Sequence, residues 1–74
     1  MSQPTTATID VRDMLCAQAL ALVAQAMERV AAGHALEIVY NAEDVKRDLL
    51  IWAHERGYGI SHLNEMTLRL MRPS

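Results

Sequence analysis

The sequence is poor in cysteine and in aromatic residues, with one cysteine, one tryptophan, two tyrosines and no phenylalanine. A lone cysteine cannot form a disulfide within the chain, which argues against a cross-linked secreted scaffold. The cysteine and the three scattered histidines, His34, His54 and His62, also lack the close spacing of a structural zinc site. We therefore expect no metal and no cofactor, and a core of aliphatic side chains.

The chain also lacks a strong charge of either sign. Its formal net charge is -2 at pH 7 and it has no basic stripe, whereas binding to a phosphate backbone requires clustered Lys and Arg. The apolar stretch from Met14 to Met27 is shorter than the roughly 20 residues of a membrane-spanning helix. Asp10, Arg12 and Asp13 precede it, where a signal peptide carries only positive charge. We expect a cytoplasmic protein that binds neither nucleic acid nor membrane directly.

Hydrophobic periodicity predicts one domain over residues 7–74, preceded by a disordered tail over residues 1–6. The predicted elements are a strand over "ATIDVR", a helix from Cys16 to a stop at Gly33, a strand over "ALEIVYN", a helix capped by Asn41 and ended by Gly57, and two strands joined by a turn at Asn64 and Glu65. Each helix has one apolar stripe. This βαβαββ order predicts an α/β (α+β) two-layer sandwich, with both helices on one face of a four-stranded mixed sheet.

The two apolar stripes show the three- and four-residue spacing of amphipathic helices. We expect both stripes to face the sheet, with the residues between them exposed. The first stripe comprises Cys16, Leu20, Val23, Met27 and Val30, widened by Leu22 and several alanines, and the second comprises Val45, Leu49, Trp52 and Ala53, broadened by Leu50 and Ile51.

Two interpretations of Cys16 follow from its position at the start of the first helix. A thiol there faces unpaired backbone amides, such as that of Ala17, and the positive end of the helix dipole, which favour a thiolate. Arg12 would add positive charge, whereas Asp13 would raise the pKa of the thiol if it points towards the sulfur. Alternatively, Cys16 is a small apolar residue of the buried stripe, as free cysteines often are. The residues alone do not decide between these interpretations.

The run "DVRDMLCAQALALV" resembles the signature of the TusA/SirA-like sulfur-carrier proteins. In that family a strand ends in Asp-x-Arg-Gly and a Cys-Pro pair opens the first helix. The segment "GHALEIVYNAEDVKRDLLIWAHERGY" is similar to the family's second strand and second helix. In this chain Ala17 and Ala19 replace two prolines of the motif, and Asp13 replaces its glycine. The resemblance extends from about Ile9 to Arg72 and implies the same βαβαββ fold.

The resemblance also implies a function. It predicts a sulfurtransferase in which Cys16 accepts sulfur as a persulfide, with Arg12, Asp13, Ala17 and Gln18 binding the partner or tuning the thiolate. The implied partners are a donor, such as a cysteine desulfurase or a rhodanese-like protein, and an acceptor in tRNA thiolation, cofactor sulfuration or sulfur oxidation. The alternative is a non-catalytic interaction or regulatory module of the same fold. We expect a monomer.

Overall fold

A computed structural model describes residues 6–73 of the protein. The elements are β1 (Thr6–Asp10), α1 (Cys16–Glu28), β2 (Ala35–Val39), α2 (Glu43–Arg56), β3 (Gly59–Asn64) and β4 (Thr67–Met71). This order confirms the predicted α+β fold. The predicted tail over residues 1–6 lies outside the described residues except for Thr6, which begins β1. Neither helix in the described part of the chain has the length and apolarity needed to cross a membrane.

The strands form one mixed sheet in the order β1-β2-β4-β3. β1 and β2 are parallel, because α1 carries the chain back across the sheet between them, and β4 runs antiparallel to both of its neighbours, β2 and β3. Both helices cover one face. On the opposite face Glu37 of β2 lies across from Arg69 of β4, and their side chains form an ion pair at 3.1 Å. That face is therefore the more polar one, as the single apolar stripe on each helix predicts.

The core lies between the sheet and the two helices. Leu36 and Ile38 of β2 pair with Leu70 and Leu68 of β4, so that aliphatic side chains meet across neighbouring strands. Alternation along β2 places these residues on the face that the helices cover. The side chains that are at most 2% exposed include Val11, Ala19, Val23, Met27, Leu36, Ile38, Val45, Leu49, Ala53, Leu68 and Leu70.

The stripe of α1 is rotated from the predicted one. Ala19 is fully buried, whereas Cys16 and Leu20 are only half-buried. The expectation that Leu22 widens the buried stripe is wrong, since its side chain is 37% exposed. In α2 the expectation for Ile51 is wrong, since its side chain is 54% exposed. Trp52 is half-buried rather than central to the core.

Two predicted helix boundaries also differ from the structure. α1 ends at Glu28, with Arg29 as its C-cap, well before the predicted stop at Gly33. α2 is preceded by Ala42 as its N-cap, so the predicted capping role of Asn41 is wrong. Gly57 does end α2: its backbone is left-handed, with φ of 75°, a conformation that glycine adopts without steric penalty.

The hairpin turn lies one residue later than predicted, at Glu65 and Met66. Asn64 belongs to β3 and pairs with Thr67, beyond an irregularity in the register between His62 and Asn64. The Asn64 side chain nevertheless helps to close the turn, because its Oδ1 accepts a hydrogen bond from the Met66 N–H at 2.8 Å. Asn64 thus contributes to the turn through its side chain. The irregular register between His62 and Asn64 places the turn itself one residue later than predicted.

Arg72 connects the end of the described chain to the end of α1. Its Nη1 donates hydrogen bonds to the carbonyl oxygens of Met27 at 3.1 Å and Val30 at 2.9 Å. Its backbone pairs with Gly33 and His34, at 3.0 Å in each case. Carbonyls at a helix C-terminus lack intrahelical partners, and a cation there also complements the helix dipole. Arg72 therefore stabilises the junction between α1 and β2, a role that the sequence did not reveal.

Replacing Arg72 by alanine should lower the free energy of unfolding by about 1–2 kcal/mol, because two charge-assisted hydrogen bonds to the end of α1 are lost. Urea denaturation measures the change. Arg47→Ala is the matched control: that side chain is 72% exposed and makes one long ion pair at 3.8 Å, so the change should stay within about 0.5 kcal/mol. Equal unfolding midpoints for the two variants would contradict the proposed role of Arg72.

Candidate functional site

Cys16 is the first residue of α1, and its side chain is half-buried. It packs at the edge of the core rather than inside it. Leu15, the N-cap of α1, lies directly before it and is 73% exposed. Cys16 therefore contributes to packing at the edge of the core and also stays partly exposed. Each of the two interpretations drawn from the sequence describes part of its environment.

Two carboxylates of α2 lie beside the thiol. Asp44 and Asp48 are one helical turn apart and therefore on the same face of α2. Burial of Cys16, then hydrogen bonding to Asp48 and Asp44 and the negative charge of both, together raise the pKa of its thiol from 9.0 to about 11. These surroundings therefore favour the protonated thiol over the thiolate.

Arg12 does not act on the thiol as a nearby cation. Its Nη2 donates to Oδ2 of Asp10 at 2.7 Å, and its Nε lies 3.0 Å from Oδ1 and 3.1 Å from Oδ2. Hydrogen bonds from the Arg12 side chain and backbone lower the pKa of Asp10 to about 2. The charges that shift the pKa of Cys16 come from α2 instead. A role of Arg12 in partner binding stays a prediction.

Asp13 is turned towards the loop between β2 and α2. Its N–H donates to Oδ1 of Asn41 at 2.9 Å, and Nδ2 of Asn41 donates to Oδ1 of Asp13 at 2.8 Å. Because the Asn41 side chain is hydrogen-bonded to Asp13, it does not cap α2. The backbone of Asp13 is left-handed, with φ of 63°, a conformation that favours glycine and that Asp and Asn tolerate best among the other residues. The glycine expected from the family motif would suit this position.

Ala17 and Gln18 follow Cys16 in the first turn of α1, and both are exposed. Oε1 of Gln18 accepts a hydrogen bond from the Leu15 N–H at 3.3 Å, which ties the start of the helix to the residue before it. Beside Gln18 lies a shallow groove of about 340 Å³ lined mainly by Met14, Ala21 and Leu22. The predicted role of Ala17 and Gln18 in partner binding stays untested.

The effect of Asp44 and Asp48 on the thiol was missed by the sequence analysis. In the sequence they belong to the cluster "EDVKRD", which is typical of a solvated helix start and which the carrier interpretation places near a partner-facing surface. It is the packing of α1 against α2 that brings this part of α2 to Cys16. Within residues 6–73, no three or more His, Cys, Asp and Glu side chains are grouped so that they could hold a metal ion.

Comparison with known proteins identifies a family for this chain. A family model described as Sulfurtransferase TusA matches residues 7–71. The match runs from β1 to the end of β4 and includes Cys16, Asp44 and Asp48. No curated protein and no solved structure matches the chain significantly.

The rate of Cys16 alkylation by iodoacetamide should rise with pH towards a midpoint near 11, because only the thiolate reacts and the folded protein raises the thiol pKa to about that value. Mass spectrometry of quenched samples measures the rate. The same chain unfolded in denaturant provides the control, with an expected midpoint near the ordinary value of 9.0. A midpoint below that value in the folded protein would mean that the thiol is activated rather than restrained.

Asp13→Gly should be more stable than Asp13→Ala by about 1 kcal/mol, since both variants lose only the side-chain hydrogen bond with Asn41, but only glycine adopts the left-handed backbone without a steric penalty. Urea denaturation of the two variants measures the difference. Because both variants lose the same side-chain contact, the difference between their free energies of unfolding reports the cost of the left-handed backbone at residue 13. Indistinguishable stabilities would show that the loop leaves this conformation once the pair is removed.

Proposed function

Because the chain belongs to the sulfurtransferase TusA family, we propose that Cys16 accepts sulfur as a persulfide from a donor protein and relays it to an acceptor protein. Members of this family are sulfur carriers that interact with donor and acceptor proteins. The observation that carries the proposal is the partly exposed position of Cys16, the one cysteine of the chain, at the start of α1.

The proposed transfer moves one sulfur atom without net oxidation or reduction. The thiolate of Cys16 attacks the outer sulfur of the donor's persulfide and forms a new S–S bond. The donor's own S–S bond breaks, and its electron pair stays on the donor cysteine, which takes up a proton. Delivery repeats the same step, with the persulfide of Cys16 as the donor. Neither step requires a cofactor.

The surroundings of Cys16 support this role in two ways. A persulfide is anionic when ionised, so the free amides and positive dipole at the start of α1 favour it. Leu15, directly before Cys16, has an exposed apolar side chain, and exposed apolar surface of this kind suits contact with another protein.

The partners that we propose are a cysteine desulfurase or a rhodanese-like protein as donor, and an acceptor protein of tRNA thiolation, cofactor sulfuration or sulfur oxidation. We also propose that the protein works in the cytoplasm, because a single free cysteine suits a reducing compartment. In this scheme the chain contacts the two proteins in turn, through the surface around the start of α1.

A second candidate function is an interaction module that keeps the fold without sulfur transfer. The pKa of Cys16, raised to about 11, favours this alternative, because a thiol that is protonated at neutral pH is a poor nucleophile. The replacement of two prolines of the family motif by Ala17 and Ala19 points in the same direction. The two functions differ in one measurable respect, which is whether Cys16 gains sulfur from a donor.

Incubation of the protein with a cysteine desulfurase and free cysteine should add the mass of one sulfur atom to the chain, and a reductant should remove it. Intact-protein mass spectrometry detects the adduct. Cys16→Ser should gain no sulfur and should keep its fold, because the substitution is small and lies at the edge of the core. Absence of the adduct with desulfurase and rhodanese-like donors would exclude the carrier function and leave the interaction module.

A further inference from the structure

The two edge strands of the sheet differ in whether they discourage pairing with another chain. β3 pairs with β4 alone, and its register is irregular between His62 and Asn64, a feature that blunts an edge. β1 pairs with β2 alone, in continuous register from Thr6 to Asp10. It contains no proline and no lysine, and four of its five residues are exposed. Among the described residues, nothing pairs with the outer edge of β1.

The main-chain groups on that outer edge are arranged symmetrically about Thr8. The N–H of Val11 donates to the carbonyl oxygen of Val39 on β2 at 2.8 Å, so the odd-numbered residues of β1 direct their main-chain groups towards β2. Because this direction alternates along a strand, the main-chain groups of Thr6, Thr8 and Asp10 point away from the sheet. Two antiparallel copies of β1, related by a two-fold axis at Thr8, would satisfy these groups with about six hydrogen bonds.

The side chains of β1 also match in this register. Thr8 meets Thr8 of the second copy, and Thr6 meets Asp10 of the second copy, so no like charges face each other along the strand. The Asp10 carboxylate is in addition held by Arg12. On the face covered by the helices, Ala7 and Ile9 of the second copy lie opposite each other, a small side chain beside a large one.

The side of α1 nearest β1 is uncharged over most of its length. Gln18, Leu22 and Gln25 follow at intervals of four and three residues and therefore lie on one side of the helix. Leu22 and Gln25 line, together with Ile9 of β1, a groove of about 170 Å³. No residue from Leu15 to Met27 is charged, whereas the exposed side of a surface helix usually is. Joining two sheets through β1 would place this side of α1 against its equivalent in the second copy.

We propose that two copies of this chain pair antiparallel through β1, so that their sheets join into one and their α1 helices lie side by side. A second copy is the occupant that this edge favours, because the two-fold axis at Thr8 pairs every outward main-chain group of the strand. The inference does not depend on the proposed function of Cys16. Since Cys16 lies about a third of a turn round α1 from Leu22, the thiol is on a different side of the helix from the proposed contact.

A symmetric disulfide tests the register. In the Cys16→Ser background, Thr8→Cys should cross-link to its equivalent under mild oxidation, because directly opposite residues of a hydrogen-bonded antiparallel pair have Cα atoms about 5.5 Å apart, within disulfide range. Thr6→Cys is the matched control, since its two copies would lie roughly 14 Å apart. Non-reducing electrophoresis measures both rates. Cross-linking about tenfold faster at position 8 supports the inference, and equal rates overturn it.

Sedimentation velocity over a range of concentrations measures the assembly itself. The wild-type chain should reach twice the monomer mass of 8.3 kDa. Thr8→Pro should weaken the dimer about tenfold or more, because proline removes the outward N–H at the two-fold axis without removing a hydrogen bond to β2. Thr8→Val is the matched control, because it keeps that N–H and should dimerise like the wild type.

Leu22→Lys guards against a folding effect of proline, because it acts on the helix contact and Leu22 is already 37% exposed. Ala17→Lys is its control: Ala17 is exposed, lies about 140° round α1 from Leu22 and should leave the dimer intact. Circular dichroism confirms that each variant is folded. Dissociation of Leu22→Lys and Thr8→Pro, with both controls dimeric, supports the inference.

Two results would overturn it. One is a dimer that Leu22→Lys and Thr8→Pro both retain, because the contact would then lie elsewhere on the surface. The other is a wild-type mass of 8.3 kDa at every concentration, the monomer expected from the sequence, which would leave the β1 edge to an extended segment of another protein.

Discussion

The packing of α1 against α2 on one face of the sheet is the constraint on which the site depends. Small and aliphatic side chains, such as Ala19 and Ala53, are fully buried in this layer and allow both helices to lie close to the strands. As a result the first residue of α1 comes to the acidic first turns of α2. The chemical character of Cys16 therefore follows from how two helices pack, as well as from the residues next to it in the chain.

The loops around the site are held by polar contacts that complement this packing. Asp13 and Asn41 join the loops that lead into α1 and α2, across 28 positions of sequence. At the other end of α1, Arg72 binds the terminal carbonyls and so anchors the helix on its far side. Both ends of α1 are thus bound by residues that are distant in sequence.

A carrier protein has to reconcile an accessible sulfur with a low rate of unwanted reactions. In this chain burial and two carboxylates of α2 raise the pKa of the half-buried thiol, while the neighbouring Leu15 stays exposed. The element order and the alternation of Leu36 and Ile38 were predictable, because periodicity depends on local spacing alone. The acidic environment of Cys16 was not, since it arises between residues about thirty positions apart.

The sequence by itself determined the βαβαββ order, the single cysteine, its place at the start of α1 and the resemblance that points to sulfur transfer. Each of these depends on local pattern, composition or motif. Only the tertiary structure decided that Arg12 is held by Asp10, that Asp13 turns to Asn41, and that burial, with Asp48 and Asp44, raises the pKa of the Cys16 thiol. Charge interactions weaken with distance and depend on burial. The direction of the pKa shift of Cys16 therefore depends on how the two helices pack together, which the sequence does not show.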